Sequence, residues 1–349
     1  MQAANALEYP FSEPPPVGTT REVAPGVHWL RMPLPFALDH INLWLLEDGD
    51  QWVIVDCGIS SDATRAAWEQ LFAGNLRGRP VGRVVVTHHH PDHLGLAGWL
   101  VARTGAELWI TEGEHRTGRE ARDQKYTLDD LLALFARNGL AAGQFAALSK
   151  RNSYRSHVDG IPAEFRRIRE GESLQIGGRG WRVVVGRGHA PEHASLACEE
   201  AGLMIAGDML LPRISTNVGV WPSDPEGNPL ADFLSSLHKF RRLHPDTLVL
   251  PSHGLPFRGA HARIADLEAH HALKFAALES ACASGGPRTA SEVLQVLFQR
   301  KLDAQQLFFA MGEAIAHLHY MHRAGRLLRD VGTDGVIRYA AVQPAPLPA

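Results

Sequence analysis

Apolar residues in the first third of the chain fall in short runs broken by turn formers. The runs at 27–31, 41–46, 52–55, 83–87 and 107–110 each have the length of a strand. The segment "LEDGDQW" joins two of them through Asp48-Gly49, a dipeptide that favours a tight hairpin. Apolar spacings of three and four predict helices over 62–72 and 94–103. Strand-like runs resume at 173–176, 181–185, 195–198, 203–205 and 247–250, with a helical pattern over 230–243 before the last. Two sets of elements in similar order, without a sequence repeat, predict an α/β fold with helices packed on sheets.

Two stretches depart from this pattern. In the segment over about 112–170, "TLDDLLALFARNGLAAGQFAALSKRN" has helical spacing that puts Leu131, Leu134 and Phe135 on one face. That segment carries 11 Lys/Arg against 9 Asp/Glu and reads as a helical insertion. From Gly259 the chain is mostly helical. Thr289 and Glu292 have the spacing of a capping box, a long helix is predicted over 303–323, and "GRLLRDVGTDGVIRY" reads as two strands around Thr333-Asp334-Gly335. Helix, helix, hairpin is a winged-helix order. The expected organisation is a domain over 1–258 carrying the insertion, then a small helical, winged-helix-like domain over 259–349.

Candidate chemistry lies where the predicted strands end. "THHHPDHLG", residues 87–95, follows Val84-Val85-Val86 and contains the ordered pattern His88-x-His90-x-Asp92-His93. "VVVGRGHAPEH" places His189 just beyond a strand; "LMIAGDML", "LVLPSHG" and "WVIVDCG" do the same for Asp208, His253 and Asp56. A lone His253 or Asp208 would ordinarily be structural, but five clusters at equivalent positions converge on one sheet edge, where active sites commonly form. His88 and His90 can point at one ion while Asp92 and His93 turn toward a neighbour. With His189, His253 and a shared Asp208, the set suits two metal ions. Imidazole with carboxylate favours zinc and leaves iron or manganese open.

His-x-His-x-Asp-His, then Gly-His, Gly-Asp and Ser-His-Gly in order, resembles the metallo-β-lactamase superfamily over about residues 25–258. The resemblance implies the αββα sandwich. It implies that His88, His90 and His189 bind the first metal, that Asp92, His93 and His253 bind the second, and that Asp208 bridges them. Asp56 matches the family's supporting strand-end aspartate. Zinc β-lactamases have cysteine where Asp208 stands, so the pattern points away from penicillin hydrolysis and resembles the glyoxalase II, lactonase and nuclease branches. The tail is similar to the winged-helix extension of the β-lactamase-like 2 type.

The function expected is hydrolysis of an ester, thioester or lactone by a metal-bridging hydroxide, with Asp92 orienting it or accepting its proton. His193, four residues after His189, is a second candidate catalytic group: it donates to a substrate oxyanion or braces the loop. Tyr154, His157, Asn217 and His40 are candidates for substrate binding. His317, His319 and His322 read as structural, and His270-His271 as a solvated helix pair.

Charge separates the alternatives, a winged-helix nuclease (phosphodiesterase) and a metal-sensing, DNA-binding regulator. The 349-residue chain has net charge −3, and residues 266–349 hold 8 Lys/Arg and 8 Asp/Glu. Nucleic-acid modules usually carry a basic surface, so packing, dimer formation or covering the active site is the expected use of the tail. A full ligand set argues against a pure sensor. The expected partner is a small acyl substrate, with a homodimer open and nucleic acid disfavoured. No run approaches the 18 apolar residues of a membrane span, and the first 18 residues read as an unstructured arm rather than a signal peptide. Three scattered cysteines, Cys57, Cys198 and Cys282, fit small core positions and a reducing, cytoplasmic setting.

Overall fold

Along β3 (His40–Asp48) side chains alternate between two cores. Ile41, Leu43 and Leu45 face one way and Trp44 and Leu46 the other, and all five are buried. Burial on both faces is why the run is almost continuously apolar. β3 pairs antiparallel with β2 (Val27–Pro33) and β4 (Gln51–Val55), and Asp48 lies opposite Gln51 at the hairpin predicted from sequence. β5 (Val81–Val85), β6 (Glu107–Ile110) and β7 (Arg166–Arg167) add in parallel, and β1 (Arg21–Ala24) closes the other edge of a seven-stranded sheet. The structure is a computed structural model and describes residues 7–144, 148 and 154–342.

The second sheet has the order β12-β11-β10-β9-β8, from β8 (Ser173–Ile176), β9 (Arg179–Gly186), β10 (His193–Cys198), β11 (Leu203–Gly207) and β12 (Leu248–Pro251). Trp29, Trp44, Val53 and Val85 of the first sheet share a core with Trp181, Val183, Leu196 and Ile205 of the second. A separate core forms on the outer face of the first sheet, where Trp68 and Leu71 of α1 (Asp62–Ala73) and Leu100 of α3 (Ala97–Thr104) meet Leu30, Leu43 and Ile54. These two layers of apolar contact make a sandwich whose strand ends present the polar clusters.

The helix expected over 94–103 divides instead. α2 (Pro91–Leu94) is a single turn with Pro91 at its start, and α3 begins at Ala97. Gly95 sits between them because a Cβ there would lie 2.3 Å from the Pro91 carbonyl and 2.6 Å from that of Gly58. Asp92 and His93 therefore stand on a helical turn of their own.

Contacts divide the chain into two units, 1–125 with 152–216 and 236–265, and 126–151 with 217–235 and 266–349. Part of the 112–170 insertion and a segment after Thr216 thus group with the tail. In the second unit, α5 (Leu128–Arg137) buries Leu131, Leu134 and Phe135, as its spacing predicts. α9 (Ala304–Arg323) begins at an Asp303 cap, and β13 (Leu327–Val331) pairs with β14 (Ile337–Ala341). Thr289 and Glu292 exchange the expected side-chain-to-backbone bonds, at 2.8 and 3.2 Å, ahead of a single turn, α8 (Leu294–Leu297). His271, expected in solvent, is buried, with Nδ1 3.1 Å from His317 Nε2. Cys57, Cys198 and Cys282 are unpaired and buried. No described helix is long and apolar enough to cross a membrane.

Candidate metal centre

Parallel strands β4 and β5 end side by side, so Asp56 and Thr87 emerge together. Asp56 takes a positive φ of 65°, which turns its carboxylate back onto the next loop. There it accepts the Thr87 N–H at 2.7 Å and the Thr87 hydroxyl at 2.9 Å. The same carboxylate lies 2.8 Å from His93 Nδ1. A carboxylate can only accept, so His93 donates from Nδ1 and turns Nε2 inward. The Thr87 hydroxyl proton is committed to Asp56, so His88 Nδ1, 3.0 Å away, donates to that oxygen and His88 Nε2 also faces inward.

His253 is set in the same way: its Nδ1 donates to the His40 carbonyl at 2.9 Å. The His40 ring accepts the Gly254 N–H at 3.0 Å and lies 2.7 Å from the Asp39 carboxylate. Buried Asn42 holds the same loop, donating to the carbonyls of Pro251 and Gly254 at 2.9 Å each. His40 therefore acts on His253, as a brace.

The inward atoms form two groups, His88, His90, His189 and Asp208, and Asp92, His93 and His253, each with its ligand atoms within 4.8 Å of one another. In the first, His88 Nε2 is 2.9 Å from His90 Nδ1 and 3.1 Å from His189 Nε2, which is 3.4 Å from Asp208 Oδ2. Donors bound tetrahedrally at about 2.0–2.1 Å from one ion stand about 3.3 Å apart, so this spacing fits. In the second, His253 Nε2 lies 3.4 Å from Asp92 Oδ2, and His93 Nε2 lies 3.7 Å from the same oxygen. Asp208 Oδ1 reaches His93 Nε2 and His253 Nε2, both at 3.5 Å. Among the described residues, His93 Nε2 and Asp208 Oδ1 are buried without a hydrogen-bond partner. Unpartnered ligand atoms aimed into one gap are what a cation would satisfy. The residues fit a pair of metal ions.

Charge is arranged to match. Burial alone would raise the Asp208 carboxyl, but His253 and His93 hold it well below the usual carboxylate range. Burial would lower His93, and the surrounding Asp56, Asp92 and Asp208 raise it well above an ordinary histidine, so without an ion the ring holds a proton that a cation would displace. Burial first, then its histidine neighbours, pushes His88 well down, which keeps its nitrogen a lone-pair donor.

His193 lies against the loop that carries Asp208. Its ring is fully buried and its Nε2 accepts the Asp208 N–H at 3.0 Å, so its bond goes to the metal loop rather than to an exposed substrate position. Gly207 allows this approach, since a Cβ there would lie 2.4 Å from the ring. The Tyr154 hydroxyl donates to the His89 carbonyl. The His157 ring meets Phe36 edge-on at 5.7 Å, and Asn217 belongs to the second unit. Sequence reasoning passed over Thr87, Asn42 and Glu114. Thr87 alone gave a local signal, as a hydroxyl at the strand end between Asp56 and His88.

Residues 37–253 match the family model of the metallo-β-lactamase superfamily. The chain belongs to that superfamily. Membership makes it a metal-dependent hydrolase, and the two His/Asp clusters above are groups that could hold its metal. Residues 275–342 match the metallo-β-lactamase-like C-terminal domain. A β-lactamase domain protein from Burkholderia ambifaria is 51% identical over 96% of this chain and 98% of its own, with a TM-score of 0.90. A metallo-β-lactamase family protein from Thermus thermophilus is 32% identical over 92% of this chain and 100% of its own, with a TM-score of 0.78. The probable metallo-hydrolase YqjP of Bacillus subtilis (strain 168) is 30% identical over 83% of this chain and 90% of its own length.

Proposed function

We propose that this superfamily member is a dinuclear hydrolase of acyl substrates, esters, thioesters or lactones, in the manner of the glyoxalase II and lactonase branches. Asp208 carries the reading: one carboxylate oxygen faces His189 of the first group, and the other faces His93 and His253 of the second. Zinc is the ion proposed, the donor set being open also to iron or manganese. When bound, the ions would acidify a water and polarise the substrate carbonyl.

The chain's own groups supply position and proton transfer. Asp56, Thr87 and the His40 carbonyl fix the histidine rings with their lone pairs inward. Asp92 is only partly buried, at the edge of its group. Burial would raise its carboxyl, but His93 and His253 hold it below the usual range. It is therefore a carboxylate at neutral pH and is the group placed to accept the proton of the attacking water.

The tail does not favour a nuclease. Arg326 pairs with Glu279 at 2.6 Å, Arg329 with Glu226 at 3.0 Å, Arg338 with Asp334 at 2.7 Å and Lys274 with Glu313 at 2.5 Å. Cations already answered within their own unit leave less charge for phosphates.

The test is a panel of thioesters, lactones, carboxylic esters, β-lactams and phosphodiesters on purified, metal-analysed protein. Turnover of an acyl substrate is expected, falling at least about a hundredfold in Asp208→Ala. Cleavage of phosphodiesters, with every acyl substrate inert, would overturn the reading.

A further inference from the structure

Between the first two metal loops lies a carboxylate that no ligand pattern includes. Glu114, in the first turn of α4 (Glu112–Arg122), is fully buried. Its Oε2 accepts the backbone N–H of His89 at 2.9 Å and lies 2.6 Å from His89 Nδ1, which donates to it. Its Oε1 accepts the backbone N–H of Glu192 at 2.6 Å. His89 stands between His88 and His90, and Glu192 lies on the loop that carries His189. One carboxylate therefore bonds both chain segments that supply the first group's histidines.

The strap is doubled from the other side. Thr111 precedes α4 in the capping position, yet its hydroxyl donates to the Glu192 carbonyl at 2.9 Å and does not cap its own helix. The Gly113 N–H is met instead by the Glu192 carboxylate, at 2.7 Å. Glu192 thus caps α4 from a distant loop, and α4 returns Glu114 to that loop's backbone. A buried carboxylate with three N–H donors is strongly held, because each bond is charge-assisted and none has water to replace it.

We propose that Glu114 is a positioning residue of the metal centre, setting the distance between the His88/His90 pair and His189 without touching an ion. The inference rests on the metal-centre reading. Glu114→Gln keeps the shape, but its amide nitrogen confronts the N–H of either His89 or Glu192, so one strand of the strap is lost.

Chelator-stripped wild type and E114Q are titrated with zinc against a chromophoric competitor, with circular dichroism recorded on the metal-free forms. Folded E114Q is expected to bind one of its two zinc ions about 10- to 100-fold more weakly, the size of effect that partners behind metal ligands have. A purely structural role would lower metal-free stability and leave the zinc affinity of the folded protein unchanged, and that result overturns the proposal. If E114Q does not fold, Thr111→Val decides. It removes one hydroxyl bond to the same loop and is expected to weaken zinc binding about two- to tenfold; unchanged affinity overturns the proposal. Wild type that takes up no zinc defeats the metal-centre reading itself, and is seen before any variant is compared.

Discussion

Asp56 accepts the Thr87 N–H and hydroxyl, and its bond to His93 fixes Nδ1 as the donor and turns Nε2 inward. It does so at a φ of 65°, a conformation that asparagine and aspartate tolerate and most residues do not. Asp56→Asn is therefore expected to keep the backbone while presenting an amide N–H to His93 Nδ1. Zinc affinity should fall about 10- to 100-fold, measured by competition titration of folded protein; equal affinity would mean that Asp56 does not orient the ring. The candidate ligands that the structure brings together were legible, because each follows an apolar run within a few residues. Their supports were less so. Glu114 lies 25 residues beyond His89, and Asn42 lies 209 residues before Pro251, separations at which no local pattern connects the partners.

Strands such as β3 and β11 were read from their apolar runs because both their faces are covered; those over 107–110 and 173–176 coincide with β6 and β8, whose positions alternate between at least partly exposed and buried. The 94–103 helix was misread because Pro91 starts a turn early and Gly95 must pass close to two carbonyls. His271 was misread because its helix, α7 (Ala260–Ser284), has weak apolar periodicity, so nothing local distinguishes it from its neighbour. In the structure it packs against His317 of α9 and Phe275. Burial, then neighbouring cations, pushes His271 and His317 down to about 3 each. Their folded values lie below the ordinary value of about 6.5, so the unfolded chain binds more protons as the pH falls. Stability should be unaffected by this pair above about pH 6.5 and decline below it, down to about pH 3. With metal stripped from both, His271→Gln should lose less melting temperature than wild type between pH 6.5 and 4.5; equal loss would contradict the assignment to this pair.

For the whole molecule, the sequence separated a sandwich from a helical tail but placed the divide at one point. The second unit instead gathers 126–151, 217–235 and the tail, as in the bond from the Ser291 N–H to the Asn138 carbonyl at 3.1 Å and the stacking of Trp221 on Phe308 at 4.6 Å. Such pairings join segments far apart in sequence, and periodicity does not report them. The first unit holds both ligand groups entire. If Asp208 joins these groups into one two-ion centre, metal stoichiometry must show it. Elemental analysis of protein reconstituted with zinc and freed of excess should give about two ions per chain in wild type and about one in Asp208→Ala. Wild type holding one ion or none, or Asp208→Ala retaining two, would rule out a centre shared through Asp208.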